Sequence, residues 1–388
     1  MPSISIPDTP IRVPAGLEGV VLCETCVSHV DGDAGAYRYR DYDAVELARK
    51  RSLEDVWHLL LYGDLPDAAT HAEFAEHIAS LRQLPGHLID LLGSVARLGN
   101  AGRDLMLALR SACSLLSEHL DLKPILDLEP DAVRQQALHI CSMLPSLVAV
   151  LYRAAQGEPI IEPDPELGVA ANYLYMLRGK RPAQEHARVL ERYMMLAADH
   201  GMGAGTLAAR VVISTGADLG SAVVAAIGAL SGPLHGGAPH RALQMLEDIG
   251  SAEHIDRTLT ETLSQGDRVM GFGHRVYRAP DPRAIFLREL AQQLGGGRVA
   301  LAEQVEARAA PLLHQRKPER ALRVNVEFYA AVVMEQLQIP DNLLSSTFAI
   351  ARMPGWSAHI LEQISDNRLI RPLTAFAGGP LLTVPRVA

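Results

Sequence analysis

Apolar residues recur through most of this sequence at the spacing of an amphipathic helix, and this pattern limits the fold more than any other feature. From Leu53 to Leu61 they return every three or four residues, on one face of a helix. Ser52 with Asp55 three residues later is typical of a capping box, and Gly63 is a typical helix end. The pattern therefore predicts a helix that begins after Ser52 and ends at Gly63.

Three further segments repeat the helical spacing, at residues 190–197, 222–230 and 329–337. The second is followed by Gly232-Pro233 and the third by Pro340, and proline commonly ends a helix. Strand-like alternation is confined mainly to residues 20–30 and 37–42. The three glycines at 295–297 predict a turn between two helices rather than a domain boundary. We therefore predict a mainly α fold.

The composition is that of a folded, acidic protein. The chain has 388 residues, of which 48% are hydrophobic and 21% charged, enough to bury a substantial core. Asp and Glu total 45 against 36 Lys and Arg, which gives a formal net charge of −9. This charge argues against general nucleic-acid binding, which usually needs a basic surface. An anionic ligand would have to be held by a few arginines gathered locally.

Neither a membrane span nor a secretion signal is expected. No apolar stretch approaches the roughly 18–20 residues that cross a bilayer. The longest, at 137–152, is interrupted by His139, Pro145 and two serines. The N-terminal MPSISIPDTP lacks the basic region and apolar core of a signal peptide. We therefore expect a soluble, cytoplasmic protein.

Cys23 and Cys26 form a single CxxC motif in a chain with four cysteines. A structural zinc site needs four ligands, and no second cysteine pair or nearby Cys/His set completes one. The surrounding pattern also lacks the βαβ context of a redox motif. We therefore expect no metal site and no redox centre at these cysteines.

Three histidines lie in glycine-rich or polar bends at the ends of helical segments. His200 is in ADHG (198–201), His235 in GPLHGG (232–237) and His274 in GFGHRVY (271–277). Glycine-rich backbone can approach a ligand closely, so such bends can present a ring to a substrate. Each bend alone is equally typical of an ordinary surface loop. Together they indicate a site without naming its reaction.

Arginines follow in a pattern that suits carboxylate or phosphate ligands. Arg278 and Arg283 come soon after the third histidine, and Arg352 and Arg371 lie nearer the C-terminus. The guanidinium group binds both kinds of anion through two parallel hydrogen bonds. Scattered arginines are also typical of a solvated surface, and the residues themselves leave both interpretations open.

In combination, five motifs make this chain resemble the citrate synthase family nearly from end to end. They are GPLHGG (232–237), GFGHRVY (271–277), DPR (281–283), NVEFY (325–329) and GWSAH (355–359). The resemblance implies a homodimer of mainly α-helical, two-domain subunits. The large domain would comprise residues 1–236 and 338–388, and the small domain residues 237–337. We expect no extra N-terminal domain of the hexameric, NADH-regulated bacterial type, and hence a dimer.

The resemblance also implies an acyltransferase of the tricarboxylic acid cycle. Such an enzyme condenses acetyl-CoA with oxaloacetate and hydrolyses the citryl thioester to citrate and CoA. The reaction needs a base for the thioester methyl group and hydrogen-bond donors for two carbonyl oxygens. By motif position, Glu327 would be the base, His235 the donor to the thioester oxygen, and His274 the donor to the ketone of oxaloacetate.

The remaining site residues implied by the resemblance bind the substrates. His200, Arg283, Arg352 and Arg371 would hold oxaloacetate, with Arg371 donated by the partner subunit. Arg278 would contact the CoA phosphates. No cofactor and no metal are implied.

The chain departs from the family pattern at two places. Glu327 stands where the family usually has Asp, and Gly201, Gly203 and Gly205 stand where it has Glu, Asn and Ser. The missing Ser would hydrogen-bond the ring at position 235, and the neighbouring Thr206 could replace it. These departures leave full catalytic rate open.

Two alternatives to citrate synthase therefore remain. One is 2-methylcitrate synthase, which uses propionyl-CoA with the same catalytic residues. A single methylene changes pocket discrimination by only about 1–3 kcal/mol. The other is a degenerate paralogue that binds CoA or a dicarboxylate without turnover.

Overall fold

The computed structural model describes residues 12–100, 102–236, 238–318, 322–379, 381 and 383–384. Over these residues the chain forms sixteen α-helices and one small sheet, which confirms the predicted mainly α fold. The first ten residues, which underlie the expectation about a signal peptide, lie outside the described residues. Gly237, the predicted first residue of the small domain, also lies outside them.

The α-helices and strands follow one another in this order. The helices are α1 (Ala44–Lys50), α2 (Leu53–Tyr62), α3 (Ala68–Ser80), α4 (Gly86–Ala96), α5 (Met106–His119), α6 (Pro130–Gln156), α7 (Val169–Arg178), α8 (Gln184–Ala197), α9 (Ala204–Ser214), α10 (Leu219–Leu230), α11 (Ala238–Ile249), α12 (Ile255–Ser264), α13 (Pro282–Leu294), α14 (Gly297–Arg316), α15 (Val326–Gln336) and α16 (Leu344–Ser365). Before α1 come the strands β1 (Ser28–Asp31), β2 (Ala36–Tyr39) and β3 (Tyr42–Asp43), which pair antiparallel in chain order.

Helix α2 begins and ends where its sequence signals predicted. The Ser52 hydroxyl accepts a hydrogen bond from the Asp55 amide, and the Asp55 carboxylate accepts one from the Ser52 amide, both at 3.1 Å. This pair is the predicted capping box. Gly63 ends the helix at a φ of 101°, a left-handed conformation that favours glycine. The predicted turn at 295–297 is also confirmed, since it separates α13 from α14.

The strand-like pattern at residues 20–30 was only partly correct, because just its last three residues enter β1. Two amides of the segment before β1 donate to side chains instead of to another strand. The Cys26 amide donates to Glu362 at 2.7 Å, and the Val27 amide to the Thr25 hydroxyl at 3.1 Å. A contact 336 residues away in sequence therefore replaces the predicted ladder.

The core is built around two long helices, α6 and α16. By length and composition alone α6 could cross a membrane, so the expectation that no segment would reach that length was wrong. However, 89% of its most apolar window is buried inside the fold, as in a core helix. Helix α16 is buried continuously from Leu344 to Ile360 and packs against α6, α8 and α9.

Candidate active site

Six of the eight residues predicted for the site lie around one region between α8, α13, α15 and α16. Three of them, Arg283, Glu327 and Arg352, line a common small cavity. His274 touches Arg283, and the ring centroid of His200 is 5.4 Å from that of His274. The six residues are His200, His235, His274, Arg283, Glu327 and Arg352.

Arg283 is held by Asp281, a residue that the sequence indicated only as the first of the DPR motif. Nε and Nη2 of Arg283 donate to the two carboxylate oxygens at 3.0 and 2.8 Å, and both side chains are buried. Burial alone would lower the pKa of Arg283, but the paired carboxylate outweighs it and raises the pKa. Asp281 also accepts from the Val326 amide at 3.2 Å, at the start of α15. One carboxylate therefore orients both the arginine and the helix that carries Glu327.

The loop before His274 pairs with the segment before Glu327. The Gly273 amide donates to the Arg323 carbonyl at 2.7 Å, and the Asn325 amide donates to the Gly271 carbonyl at 2.9 Å. Gly271 has a φ of 79°, and a Cβ there would lie 2.7 Å from the Phe328 side chain. Glycine is required at this position by both conformation and space.

The proton of the neutral His274 ring lies on Nε2. Nδ1 accepts hydrogen bonds from the Val276 and Tyr277 amides, at 3.0 and 2.9 Å, so it carries no proton. Burial, assisted by the charge of Arg283, lowers the pKa of His274 to about 4, which keeps the ring neutral. Nη2 of Arg283 lies 3.3 Å from Nε2. Two donors therefore face the same point, where an acceptor oxygen would satisfy both.

His200 is also held as a neutral ring. Its Nε2 lies 3.1 Å from the Tyr277 hydroxyl, a residue that the sequence did not single out. Burial lowers the pKa of His200 well below its ordinary value, and the charges of Arg283 and Arg352 add to this effect. The ring can therefore donate or accept a hydrogen bond without carrying charge.

Arg352 is a buried cation without a carboxylate partner among the described residues. Its Nε donates to the Ala197 carbonyl at 2.6 Å, and its guanidinium carbon lies 4.9 Å from the centre of the Phe348 ring. Burial lowers the pKa of Arg352, against the opposing effect of the more distant Asp199. A buried charge is costly unless it is paired, so this arginine is suited to binding an anion.

Glu327 lies in the first turn of α15, where Asn325 caps the helix by accepting from the Glu327 amide at 3.2 Å. Its Oε2 atom is buried and has no hydrogen-bond partner within the described part of the chain. Burial raises the pKa of Glu327 despite the opposing charge of Arg283. An unpartnered carboxylate with a raised pKa is typical of a general base.

His235 lies in the bend that follows α10, and its ring centroid is 6.3 Å from that of Phe348, which lines the cavity. Burial lowers the pKa of His235 to about 4, assisted by the charge of Arg352. No described residue makes a hydrogen bond to its ring. The Thr206 hydroxyl is buried and finds no hydrogen-bond partner in the described part of the chain, so Thr206 does not replace the missing Ser in this structure.

The glycines that depart from the family pattern fit their local surroundings. Gly201 has a φ of 66°, a conformation that L side chains rarely adopt. A Cβ on Gly205 would lie 3.0 Å from the Trp356 ring and 3.2 Å from the Ala226 carbonyl oxygen. The Trp356 ring therefore lies where a serine side chain at 205 would need space. Gly203 has open space around it, and nothing in the structure explains it.

The other two predicted residues lie away from the cavity. Arg278 is exposed, and its Nε lies 3.3 Å from the Asp33 carboxylate. Arg371 is exposed in the segment after α16. Cys23 and Cys26 are both free thiols, and no three His, Cys, Asp or Glu residues in the described ranges form a group suited to a metal.

Comparison with known proteins identifies the family of this arrangement. The family model for "Citrate synthase, C-terminal domain" matches residues 16–373. The citrate synthase of Haloferax volcanii is 39% identical over 367 residues, which cover 94% of this chain and 95% of the relative.

Solved structures agree with this family. Citrate synthase from Pyrobaculum aerophilum superposes with a TM-score of 0.87 at 32% identity, covering 99% of this chain and 98% of that one. Citrate synthase from Thermoplasma acidophilum, solved as a ternary complex with carboxymethyl coenzyme A and oxaloacetate, gives 0.87 at 26% identity, covering 96% and 98%. This chain therefore belongs to the citrate synthase family, and it is an acyltransferase.

Proposed function

We propose that this enzyme condenses acetyl-CoA with oxaloacetate and hydrolyses the citryl thioester to citrate and CoA. The observation that carries this proposal is that Arg352, buried without a carboxylate partner among the described residues, lies on the same cavity as Arg283, whose donor faces that of His274. These groups suit a small dianion that also has a ketone oxygen. The solved relative from Thermoplasma acidophilum binds oxaloacetate together with a CoA thioether, which supports the same ligand pair here.

In the proposed complex, oxaloacetate completes the hydrogen bonding of the buried donors. Arg352 and Arg283 bind its carboxylates, and His200 contributes a neutral hydrogen bond. Nε2–H of His274 donates to the ketone oxygen and polarises the carbonyl carbon for attack. Because the pKa of His274 is lowered to about 4, the ring is neutral when it donates this hydrogen bond.

Glu327 then removes a proton from the thioester methyl group, and His235 donates a hydrogen bond to the thioester oxygen, where negative charge develops. The methyl carbon of the resulting enolate attacks the ketone carbon and forms the new carbon–carbon bond. The ketone oxygen takes up a proton from solvent and becomes the hydroxyl group of citryl-CoA, while Glu327 returns its proton to solvent. Water then cleaves the thioester, which gives citrate and the free thiol of CoA. No cofactor or metal is required for these steps.

We also propose the domain arrangement and dimer that the resemblance implies. Residues 237–337 would form the small domain that closes over oxaloacetate bound to the remainder of the chain. Arg371 would enter the partner's site, and Arg278 would bind CoA phosphates. The segment around Arg371 supports this arrangement, because Leu369, Leu373 and Phe376 are 58%, 53% and 88% exposed in the single chain. Large apolar side chains exposed together are typical of a surface that a second subunit covers. The proposed location of the enzyme is the cytoplasm.

Propionyl-CoA remains a second candidate substrate, with 2-methylcitrate as its product. The cavity beside Glu327 is lined by two alanines, Ala197 and Ala330, so small side chains face the proposed acyl position. One methylene is worth about 1–3 kcal/mol in such a pocket, so both thioesters need to be tested.

The test is the release of free thiol from acetyl-CoA and from propionyl-CoA, each with and without oxaloacetate. We expect release that depends on oxaloacetate, that Glu327→Gln removes and that the exposed control Glu247→Gln leaves unchanged. A higher kcat/KM for propionyl-CoA would assign 2-methylcitrate synthase. Binding of oxaloacetate without any thiol release would instead identify a degenerate paralogue.

A further inference from the structure

One face of α16 contacts three successive residues of the segment that leads to His200. Nε of Arg352 donates to the Ala197 carbonyl at 2.6 Å. A Cβ on Gly355 would lie 2.1 Å from the Ala198 carbonyl oxygen, so glycine permits close backbone contact there. Nε2 of His359 lies 3.4 Å from the Asp199 carboxylate. The spacing 352, 355 and 359 places all three contacts on one helical face.

The Asp199 carboxylate is fully buried beside His200 and Arg352, two of the residues proposed to bind oxaloacetate. It accepts hydrogen bonds from the Ser28 hydroxyl and, at 2.9 Å, from the Gly201 amide, and His359 provides its third contact. Burial alone would raise the pKa of Asp199, but the interactions with His359, Arg352 and Ser28 outweigh it and lower the pKa. Asp199 therefore holds a negative charge and fixes the backbone on both sides of His200.

Arg210 determines which nitrogen of His359 carries the proton. Its Nη2 and Nε lie 2.8 and 3.2 Å from Nδ1 of His359, and a guanidinium can only donate. Nδ1 is therefore the acceptor, and Nε2 carries the proton that faces Asp199. Arg210 is held in turn by Glu362 and, at 3.1 Å, by Gln363. His359 is fully buried and Arg210 is buried, so water does not compete for these contacts.

We propose that His359 is a positioning residue for the oxaloacetate side of the site, acting through Asp199 on His200 and Arg352. This inference rests on the proposed function, in which His200 and Arg352 bind oxaloacetate. His359 keeps Asp199 fixed and charged. Asp199 then holds the bend at Gly201, and its negative charge acts on Arg352.

Two substitutions test the two ring nitrogens of His359 separately. In His359→Gln, the amide nitrogen can replace Nε2 and still donate to Asp199. In His359→Asn, the shorter amide can replace Nδ1 and still accept from Arg210, but Asp199 loses a donor. We expect His359→Asn to raise the KM for oxaloacetate about tenfold, the effect of losing one hydrogen bond to a charged group. The kcat and the KM for acyl-CoA should stay within about twofold, and His359→Gln should keep wild-type values.

A second variant keeps the test independent of whether a buried substitution folds. Ser28→Ala removes another hydrogen bond to Asp199, and also the one that its hydroxyl accepts from the Gly201 amide at 3.1 Å, without touching His359 or Arg210. We expect it to raise the same KM. Selective ¹⁵N-histidine spectra add a readout without turnover. The ring signal of His200, assigned by its loss in His200→Gln, should shift in His359→Asn and Ser28→Ala but not in His359→Gln.

Absence of thiol release from the wild type would contradict the proposed function. It would not contradict the positioning role of His359, because the ¹⁵N spectra of the His200 ring test that role without turnover. An unchanged oxaloacetate KM together with an unchanged His200 signal in Ser28→Ala and folded His359→Asn would overturn the role of His359. Equal effects of the Asn and Gln variants would overturn it as well, because they would show that the Nε2 donor is not what matters.

Discussion

Nη2 of Arg283 lies 3.3 Å from Nε2 of His274, although both atoms are hydrogen-bond donors. The tautomer of His274 is fixed by two backbone amides at Nδ1, so the ring cannot relieve this contact by moving its proton. An oxygen atom that accepts from both groups would turn an unfavourable contact into two hydrogen bonds. The site is therefore organised for a ligand before the ligand arrives.

Arg283 and Arg352 should differ in what their removal does to stability. Arg283→Leu leaves Asp281 buried without its partner, so it should lower the free energy of unfolding by about 3–5 kcal/mol as well as oxaloacetate affinity. Arg352→Leu removes a buried charge that has no carboxylate partner, so it should weaken oxaloacetate binding with a smaller loss of stability. Denaturant unfolding and calorimetric titration would check this contrast. Unchanged oxaloacetate affinity in both variants would exclude the proposed substrate position.

Glu327→Gln should lower turnover by about 10²- to 10⁴-fold, the usual contribution of a positioned general base. Oxaloacetate binding should survive, because the proposed role of Glu327 is proton removal. Glu327→Asp should also lower turnover, since the carboxylate would sit one methylene further from the thioester. The measurement is thiol release at saturating substrates, with Glu247→Gln as the control. Near-normal turnover in Glu327→Gln would mean that another group takes the proton.

The raised pKa of Glu327 predicts the acidic limb of the pH–rate profile. A base must be ionised to act, so kcat/KM should fall with decreasing pH at a higher pH than an ordinary glutamate would give. Glu327→Asp should retain an acidic limb. The residual activity of Glu327→Gln should lack it, and a limb that persists there would assign the titration to a different group.

The neutral histidines predict a loss of stability in mild acid. Burial lowers the pKa of His235 and His274 from 6.5 to about 4 in the folded state. Between these values the unfolded chain binds more protons, so stability should fall as pH drops from 6.5 towards 4. Urea unfolding at several pH values would measure this, and His274→Gln should flatten the dependence. An equally steep dependence in His274→Gln would show that other groups cause it.

Hybrid dimers should test the proposed donation of Arg371. Mixing His274→Ala subunits with Arg371→Ala subunits should restore activity, because one site of each hybrid would receive both intact groups. With random exchange, about a quarter of all sites would be intact. Subunit exchange must be verified independently, for example by tag-based purification of hybrids. Verified hybrids without activity would contradict a shared site.

The sequence predicted features whose signals are short in range. The capping box of α2 uses residues three positions apart, and the turn between α13 and α14 follows from consecutive glycines. Residues 20–27 were less predictable, because the backbone of Cys26 bonds to Glu362 on a distant helix. The local alternation of apolar and polar residues cannot reveal a hydrogen bond to so distant a side chain.

In the functional site, too, local features were predictable and long-range contacts were not. The motifs indicated the residues that meet at the cavity, but the partners that orient them are remote in sequence. Asp281 lies 45 positions from Val326, and His359 lies 160 from Asp199. That Arg352 has no carboxylate partner among the described residues could not be predicted either, because it depends on which carboxylates the fold places nearby. An Asp-Pro pair before a helix was the one local signal for Asp281.

The hydrogen bonds of Asp281 also couple the motions of Arg283 and Glu327. Since this carboxylate is joined both to Arg283 and to the first amide of the Glu327 helix, the arginine and the base cannot move independently. Any motion that withdraws one from the reacting centre withdraws the other too. Acyl-CoA bound while Arg283 is displaced would then meet a base that is displaced with it. Asp281 would in this way tie removal of the thioester proton to the position of the arginine that binds the reaction partner.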